Sequence, residues 1–287
     1  MGLRKDVYVI LIIPVVGLGS PGCAVMPLEP AVRPPAERPP LSVPSPTQSD
    51  PIARLHTLHR EAAERYAKVD SYIVRLIRRE QINGKDKPEE ILLFKFRKEP
   101  WSVYFKWLGT ESKGREVSYV RGHYENKIHT LLAAGDIPLM PAGKRFAVTP
   151  DSPFVHSSSR HSINEAGIGV LIENFGQAVE EADRSGPGSG ALKYAGPVQR
   201  HEFAGPCEAV EQIIAAGAEP QLPRGGRRLW VFDSETKFPV LLVTHDDAGH
   251  EVEYYCYDRF EFPVHLDDDD FNPDKLWNPK HEGPQQK

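Results

Sequence analysis

Residues 227–262 decide the fold. They read as three consecutive strands: Arg228-Leu-Trp-Val-Phe-Asp233, Pro239-Val-Leu-Leu-Val-Thr-His245 and Glu251-Val-Glu-Tyr-Tyr-Cys-Tyr-Asp-Arg-Phe-Glu-Phe262. The connections, Asp233-Ser-Glu-Thr-Lys237 and Asp246-Asp-Ala-Gly249, are short and polar. Apolar runs joined by such turns form antiparallel hairpins. Nothing in this stretch looks catalytic.

Working outward, the same period of two recurs from Ser71. Tyr72, Val74 and Leu76 share one face, with Arg75 and Arg79 on the other. Asn83-Gly84 is a type I′ turn signal. In the next strand Leu92, Phe94 and Phe96 oppose Lys95 and Arg97, and Glu99-Pro100 ends it. Trp101, Val103, Phe105 and Trp107 then alternate with Ser102, Tyr104 and Lys106. Val117–Arg121 and Lys127–Ala133 read as two further strands, completing an up-and-down meander.

Helical spacing flanks this meander. Ile52, Leu55, Leu58, Ala62, Tyr66 and Val69 recur every three or four residues, predicting a helix over Ile52–Val69. Asp136–Ser162 has little periodicity and reads as loop. Ile163, Ala166, Val170, Leu171, Phe175 and Val179 form the stripe of a second helix, Ile163–Ala182. After a Gly-rich loop at 185–190, strands resume at Leu192–Tyr194, Val198–Phe203 and Cys207–Ile213. The expected fold is α+β: a single curved antiparallel sheet, an open half-barrel of about 10–11 strands, with helices covering its concave face.

The N-terminus reads as an address. Arg4 and Lys5 precede the apolar run Val7–Gly19, which is shorter than the ~20 residues of a membrane span and is followed by small residues. Residues 1–22 are therefore expected to be a signal peptide. Gly22-Cys23 resembles the end of a bacterial lipoprotein signal, although Ser20 stands where a leucine is usual. That resemblance implies lipidation of Cys23, an exported protein in the periplasm or outer envelope, and attachment to a membrane. Residues 23–51 are crowded with proline and read as a disordered spacer; residues 52–277 form one domain and 278–287 a disordered tail. The net charge of −5 and the lack of a basic patch argue against nucleic acid as a partner.

One face of the sheet is heavy with aromatic residues: Tyr72, Phe94, Phe96, Trp101, Phe105, Trp107, Tyr119, Trp230, Phe232 and Tyr254, with Phe260 beyond them. These residues either pack solidly on the helices or line a groove for an apolar ligand. The arrangement resembles the lipoprotein-carrier fold of LolA, LolB and LppX, particularly through Leu229-Trp-Val-Phe-Asp-Ser-Glu-Thr-Lys-Phe-Pro-Val240. More specifically, the chain resembles bacterial domain-of-unknown-function family 1571. That resemblance rests on Asn83-Gly84-Lys85, Phe96-Arg97-Lys98-Glu99-Pro100-Trp101, Gly114-Arg115-Glu116-Val117, Arg160-His161-Ser162-Ile163 and Asp270-Phe271-Asn272-Pro273. By analogy with the wider fold it implies a carrier or sensor of a lipid or lipidated protein, not an enzyme. The alternative is an envelope interaction module with a plugged core.

Other reactive groups carry weaker signals. His156-Ser-Ser-Ser-Arg-His161 has no nucleophile elbow or evident acid partner, so it reads as a loop at the sheet rim. Arg160 and His161 are candidates for holding a lipid headgroup. His123, His129, His201, His245 and His250 show no zinc spacing, and Asp267–Asp270 lacks the spacing of a calcium loop. No metal or cofactor is expected. Cys207 and Cys256 either pair as a disulfide or remain two buried thiols.

Overall fold

A computed structural model describes residues 51–186 and 191–277. The expected signal peptide, Cys23 and its lipidation, the spacer up to residue 50, the glycine-rich residues 187–190 and the tail over 278–287 lie outside the described residues.

The described chain runs α1 (Pro51–Ala67), β1 (Ser71–Ile82), β2 (Lys85–Asp86), β3 (Glu90–Arg97), β4 (Ser102–Trp107), β5 (Glu116–Val120), β6 (Ile128–Leu131) and β7 (Arg145–Val148). It continues through α2 (Pro153–His156), α3 (Ile168–Ser185), β8 (Leu192–Val198), β9 (Cys207–Ile214), β10 (Gly226–Asp233), β11 (Pro239–Asp246), β12 (Glu251–Glu261) and α4 (Pro273–Leu276). All the strands join one open antiparallel sheet of 12, ordered β7-β6-β5-β4-β3-β1-β12-β11-β10-β9-β8, with β2 folded back on β1.

The strands exceed the expected count because the loop over 136–162 contributes an edge strand, β7, and the Asn83-Gly84 turn leaves the short β2. Asn83 and Gly84 both have positive φ, 52° and 72°, as a type I′ turn requires. Val198–Phe203 is not a separate strand: β8 runs continuously to Val198, and the chain then loops to β9. The first and last long strands meet at the centre, where Arg75 faces Leu93 of β3 on one side and Asp258 of β12 on the other.

The apolar stripe of α3 (Leu171, Ile172, Phe175 and Val179) packs in one core with Leu55, Leu58 and Ala62 of α1 and the aromatic face of the sheet. The two helices approach closely at glycines. A Cβ on Gly169 would lie 2.6 Å from the Tyr66 ring, and one on Gly176 would lie 2.4 Å from Nε2 of His59.

The helix expected to begin at Ile163 is broken. A 3-10 turn spans Ile163–Glu165, and α3 starts only at Ile168. Gly167 makes the break with φ at 107°, and the Ile168 N–H donates to the Tyr72 hydroxyl at 3.0 Å. The sheet therefore supplies a partner for an N–H that the helix start leaves open.

The back face carries two smaller cores. Cys207, Val231, Leu241, Val243, Tyr254 and Cys256 form one. In the other, Leu266 and Phe271 of the C-terminal segment pack on Tyr104 and Val120. Lys95 reaches Asp270 at 2.6 Å and Arg97 reaches Asp268 at 2.9 Å. Part of the acidic run thus straps the chain's end across the sheet.

Cys207 and Cys256 are both buried free thiols. Strands β10 and β11 separate β9 from β12, placing the cysteines roughly 14 Å apart at the usual strand spacing, beyond disulfide reach. Among the described residues no helix is long and apolar enough to cross a membrane, and no cluster of His, Cys, Asp or Glu is placed to hold a metal.

Candidate functional site

The helix face is not filled throughout. Between the sheet, α3 and the segment that leads into α3 lies a hollow of about 550 Å³. One end is apolar. Leu76, Phe94, Phe105, Val117 and Ile128 rise from five consecutive sheet positions, and Val148, Val155 and Leu171 face them. Ring packing stiffens this wall, with Phe94 and Phe105 centred 4.6 Å apart.

The other end is charged. Beyond Leu76 the inward positions of β1 become Arg78 and Glu80, although the alternation that set Tyr72, Val74 and Leu76 inward is unbroken. Glu80 stands directly opposite Glu253 of β12, and both are buried. Facing carboxylates repel, so each needs compensation.

Glu253 receives it from several sides. His161 Nε2 hydrogen-bonds Oε1, and the Thr244 hydroxyl donates to Oε2 at 2.6 Å. Arg228 and Arg160 approach at 3.7 and 3.8 Å. Glu80 accepts from the Tyr255 hydroxyl and, at 3.4 Å, from the Arg160 backbone N–H.

These contacts set the ionisation of Glu253 and His161. Burial alone would raise the Glu253 pKa, but the His161 hydrogen bond and charge, with Arg228 and Thr244, bring it down to about 2. Burial likewise works against a charged His161, and Glu165 and Glu253 overcome it to hold the imidazole up at about 10. The His161 side chain is 38% exposed, so solvent screens part of this effect. The charged pair fastens the segment ahead of α3 to the sheet.

Where the two ends meet, Arg78 Nε donates to Glu90, whose other oxygen accepts from Trp107 Nε1 at 2.7 Å. The Arg115 guanidinium lies 5.0 Å from the Trp107 ring and is paired with Asp136.

The residues expected to line a groove divide. Phe94, Phe105, Trp107 and Trp230 reach the hollow. Tyr72, Phe96, Tyr119 and Phe232 belong to the solid part of the same core, where Tyr72 stacks on Phe96 at 5.1 Å and Phe175 meets Phe232 at 4.7 Å. Trp101 is half-buried against that core, 4.9 Å from Phe96.

Tyr254 is a correction: it lies on the back face with Cys256, and its neighbours Tyr255 and Tyr257 point inward. The reason is a bulge. Arg259 has φ at 54°, and the β1–β12 register shifts between Ile73 and Arg75, so counting back from Phe260 inverts the face. Of the expected headgroup contacts, His161 is at the hollow's wall, engaged with Glu253 and Glu165. Arg160 lines a separate polar recess and spends its terminal nitrogens on the carbonyls of Gln81 and Gln221.

The chain belongs to the family described as "Protein of unknown function (DUF1571)", whose pattern matches residues 69–281. No curated protein matches it. Among solved structures it is similar to an uncharacterized conserved protein from Thermus thermophilus, at 8% identity and a TM-score of 0.43, over 76% of this chain and 92% of that one. It is also similar to the Mycobacterium tuberculosis lipoprotein LppX, at 12% identity and a TM-score of 0.43, over 75% of this chain and 99% of that one. LprF from Mycobacterium bovis is a further neighbour, at 12% identity and a TM-score of 0.40, over 76% of this chain and 97% of that one.

Proposed function

We propose that this member of the DUF1571 family is an exported binding protein that carries or senses a hydrophobic ligand, the acyl chain of a lipid or lipidated protein, in the hollow. One observation supports the reading above the others: a space of about 550 Å³, walled by Phe94, Phe105, Val117 and Ile128, beside a core that is otherwise packed with buried aromatic rings. That volume falls within the roughly 300–1,000 Å³ of ordinary small-molecule sites. Each methylene transferred from water contributes about 0.8 kcal/mol, so a partly inserted chain outweighs the cost of immobilising it. Lipidation of Cys23 and a proline-rich spacer would hold the domain near a membrane while leaving it free to sample ligands.

The test is titration of the delipidated protein with a fluorescent long-chain fatty acid. Saturable uptake is expected, with loss in Trp107→Asp and in Ala178→Trp, which fills the hollow from α3. Circular dichroism checks that both variants fold. Absence of saturable uptake by the unmodified protein overturns the reading and favours an interaction module.

A further inference from the structure

The chemistry of the hollow specifies more than an acyl chain. Three arginines line it: Arg78, Arg115 and Arg228. Arg228 spends both terminal nitrogens on Glu219, at 2.7 and 2.9 Å, and its Nε on Thr244. Arg115 spends Nε and Nη2 on Asp136. Arg78 differs: its single hydrogen bond runs from Nε to Glu90, leaving both terminal nitrogens unbonded among the described residues.

This side chain is fixed as well as free. Glu90 sits opposite Arg78 in the β1–β3 register and is itself held by Trp107 Nε1. The Arg78 guanidinium lies 5.8 Å from the Trp107 ring centroid, and the side chain is only 15% exposed. Its position borders the apolar wall of Leu76, Phe94 and Phe105. A planar fork with open donors at the end of an apolar channel suits bidentate binding of an oxyanion.

We propose that Arg78 receives the anionic head, a carboxylate or a phosphate, of an amphiphile whose chain occupies the apolar end of the hollow. This rests on the acyl-chain reading above. A charge-assisted hydrogen bond discriminates by roughly tenfold to a hundredfold. Glu80, two residues along the same strand face, opposes a bound anion, which holds the gain toward the lower figure. The expected discrimination is therefore about tenfold.

The experiment is competition against a bound fluorescent fatty acid, using palmitic acid, its methyl ester and monopalmitoyl glycerol phosphate. On the unmodified protein the acid or the phosphate should displace the probe about tenfold more effectively than the ester. The stronger of the two identifies the head. In Arg78→Met the ratio of acid or phosphate affinity to ester affinity should fall to about one; in Arg78→Lys, which keeps the charge and loses the fork, it should shrink. Equal displacement by acid, phosphate and ester on the unmodified protein overturns this inference alone and needs no variant. Survival of the preference in Arg78→Met also overturns it. Failure of the probe itself to bind overturns the acyl-chain reading and this inference with it.

Discussion

His161 and Glu253, 92 residues apart in sequence, meet as a hydrogen-bonded pair that ties the segment before α3 to the floor of the sheet. The pair should shape stability against pH on both sides of neutrality. His161 is raised from 6.5 to about 10, so its contribution is complete below about 6.5 and is lost as pH climbs toward 10. Glu253 is lowered from 4.5 to about 2, so its contribution is complete above about 4.5 and is lost as pH falls toward 2. Melting temperature should be flat between these windows and decline outside them. His161→Gln should lower it by several degrees and flatten the alkaline limb; an unchanged alkaline limb would refute the assignment.

Close helix packing predicts a second effect. Alanine at Gly176 would drive Cβ into the His59 ring, and alanine at Gly169 would drive it into Tyr66. Each substitution should cost about 1–3 kcal/mol in urea unfolding, as overpacked cores do. Because the Gly176 clash is with one side chain, His59→Ala should recover much of the loss in the double variant. Independent, additive losses would show that α1 and α3 do not meet there.

The C-terminal strap makes a third. Phe271 is fully buried, and its carbonyl accepts from the Ser118 hydroxyl. Phe271→Ala should lower unfolding free energy by about 3–5 kcal/mol, the usual cost of removing a buried phenylalanine. Asp268→Asn, on an acid that is 82% exposed, should cost less than 1 kcal/mol. A mild Phe271→Ala would mean that the strap is dispensable.

The thiols give a fourth. Burial pushes Cys207 up to about 11 and Cys256 up to about 12, so neither is a thiolate near neutrality. In a Cys23→Ser chain, iodoacetamide should modify neither residue in the native state and both in denaturant, with no prior need for a reductant. Reductant-dependent labelling would reveal a disulfide.

Much of the fold is legible in the sequence because alternation and turn chemistry agree. Tyr72, Val74 and Leu76 face the helices as their period demands, and Asn83-Gly84 turns as its backbone preferences demand. Legibility fails where one residue breaks the count. The left-handed Arg259 shifts β12 by a position and hides Tyr255 and Tyr257, while Gly167 splits a stripe that looks continuous. The hollow's charged end had a signal that alternation alone exposes: Arg78 and Glu80 are in phase with Leu76, on a face otherwise apolar. Charges at core positions mark places where local rules yield to another demand. Their partners, Glu90 for Arg78 and the Tyr255 hydroxyl for Glu80, come together only through the tertiary fold.

Pairing β1 with β12 has a consequence for biogenesis. When the first seven strands have been made, one edge of β1 still lacks its neighbour, and that neighbour arrives with nearly the last residues of the domain. Until then the growing chain offers an open row of backbone donors and acceptors to any other extended polypeptide. Shielding of the nascent chain until β12 arrives should matter more for this protein than for one of equal size built from adjacent hairpins.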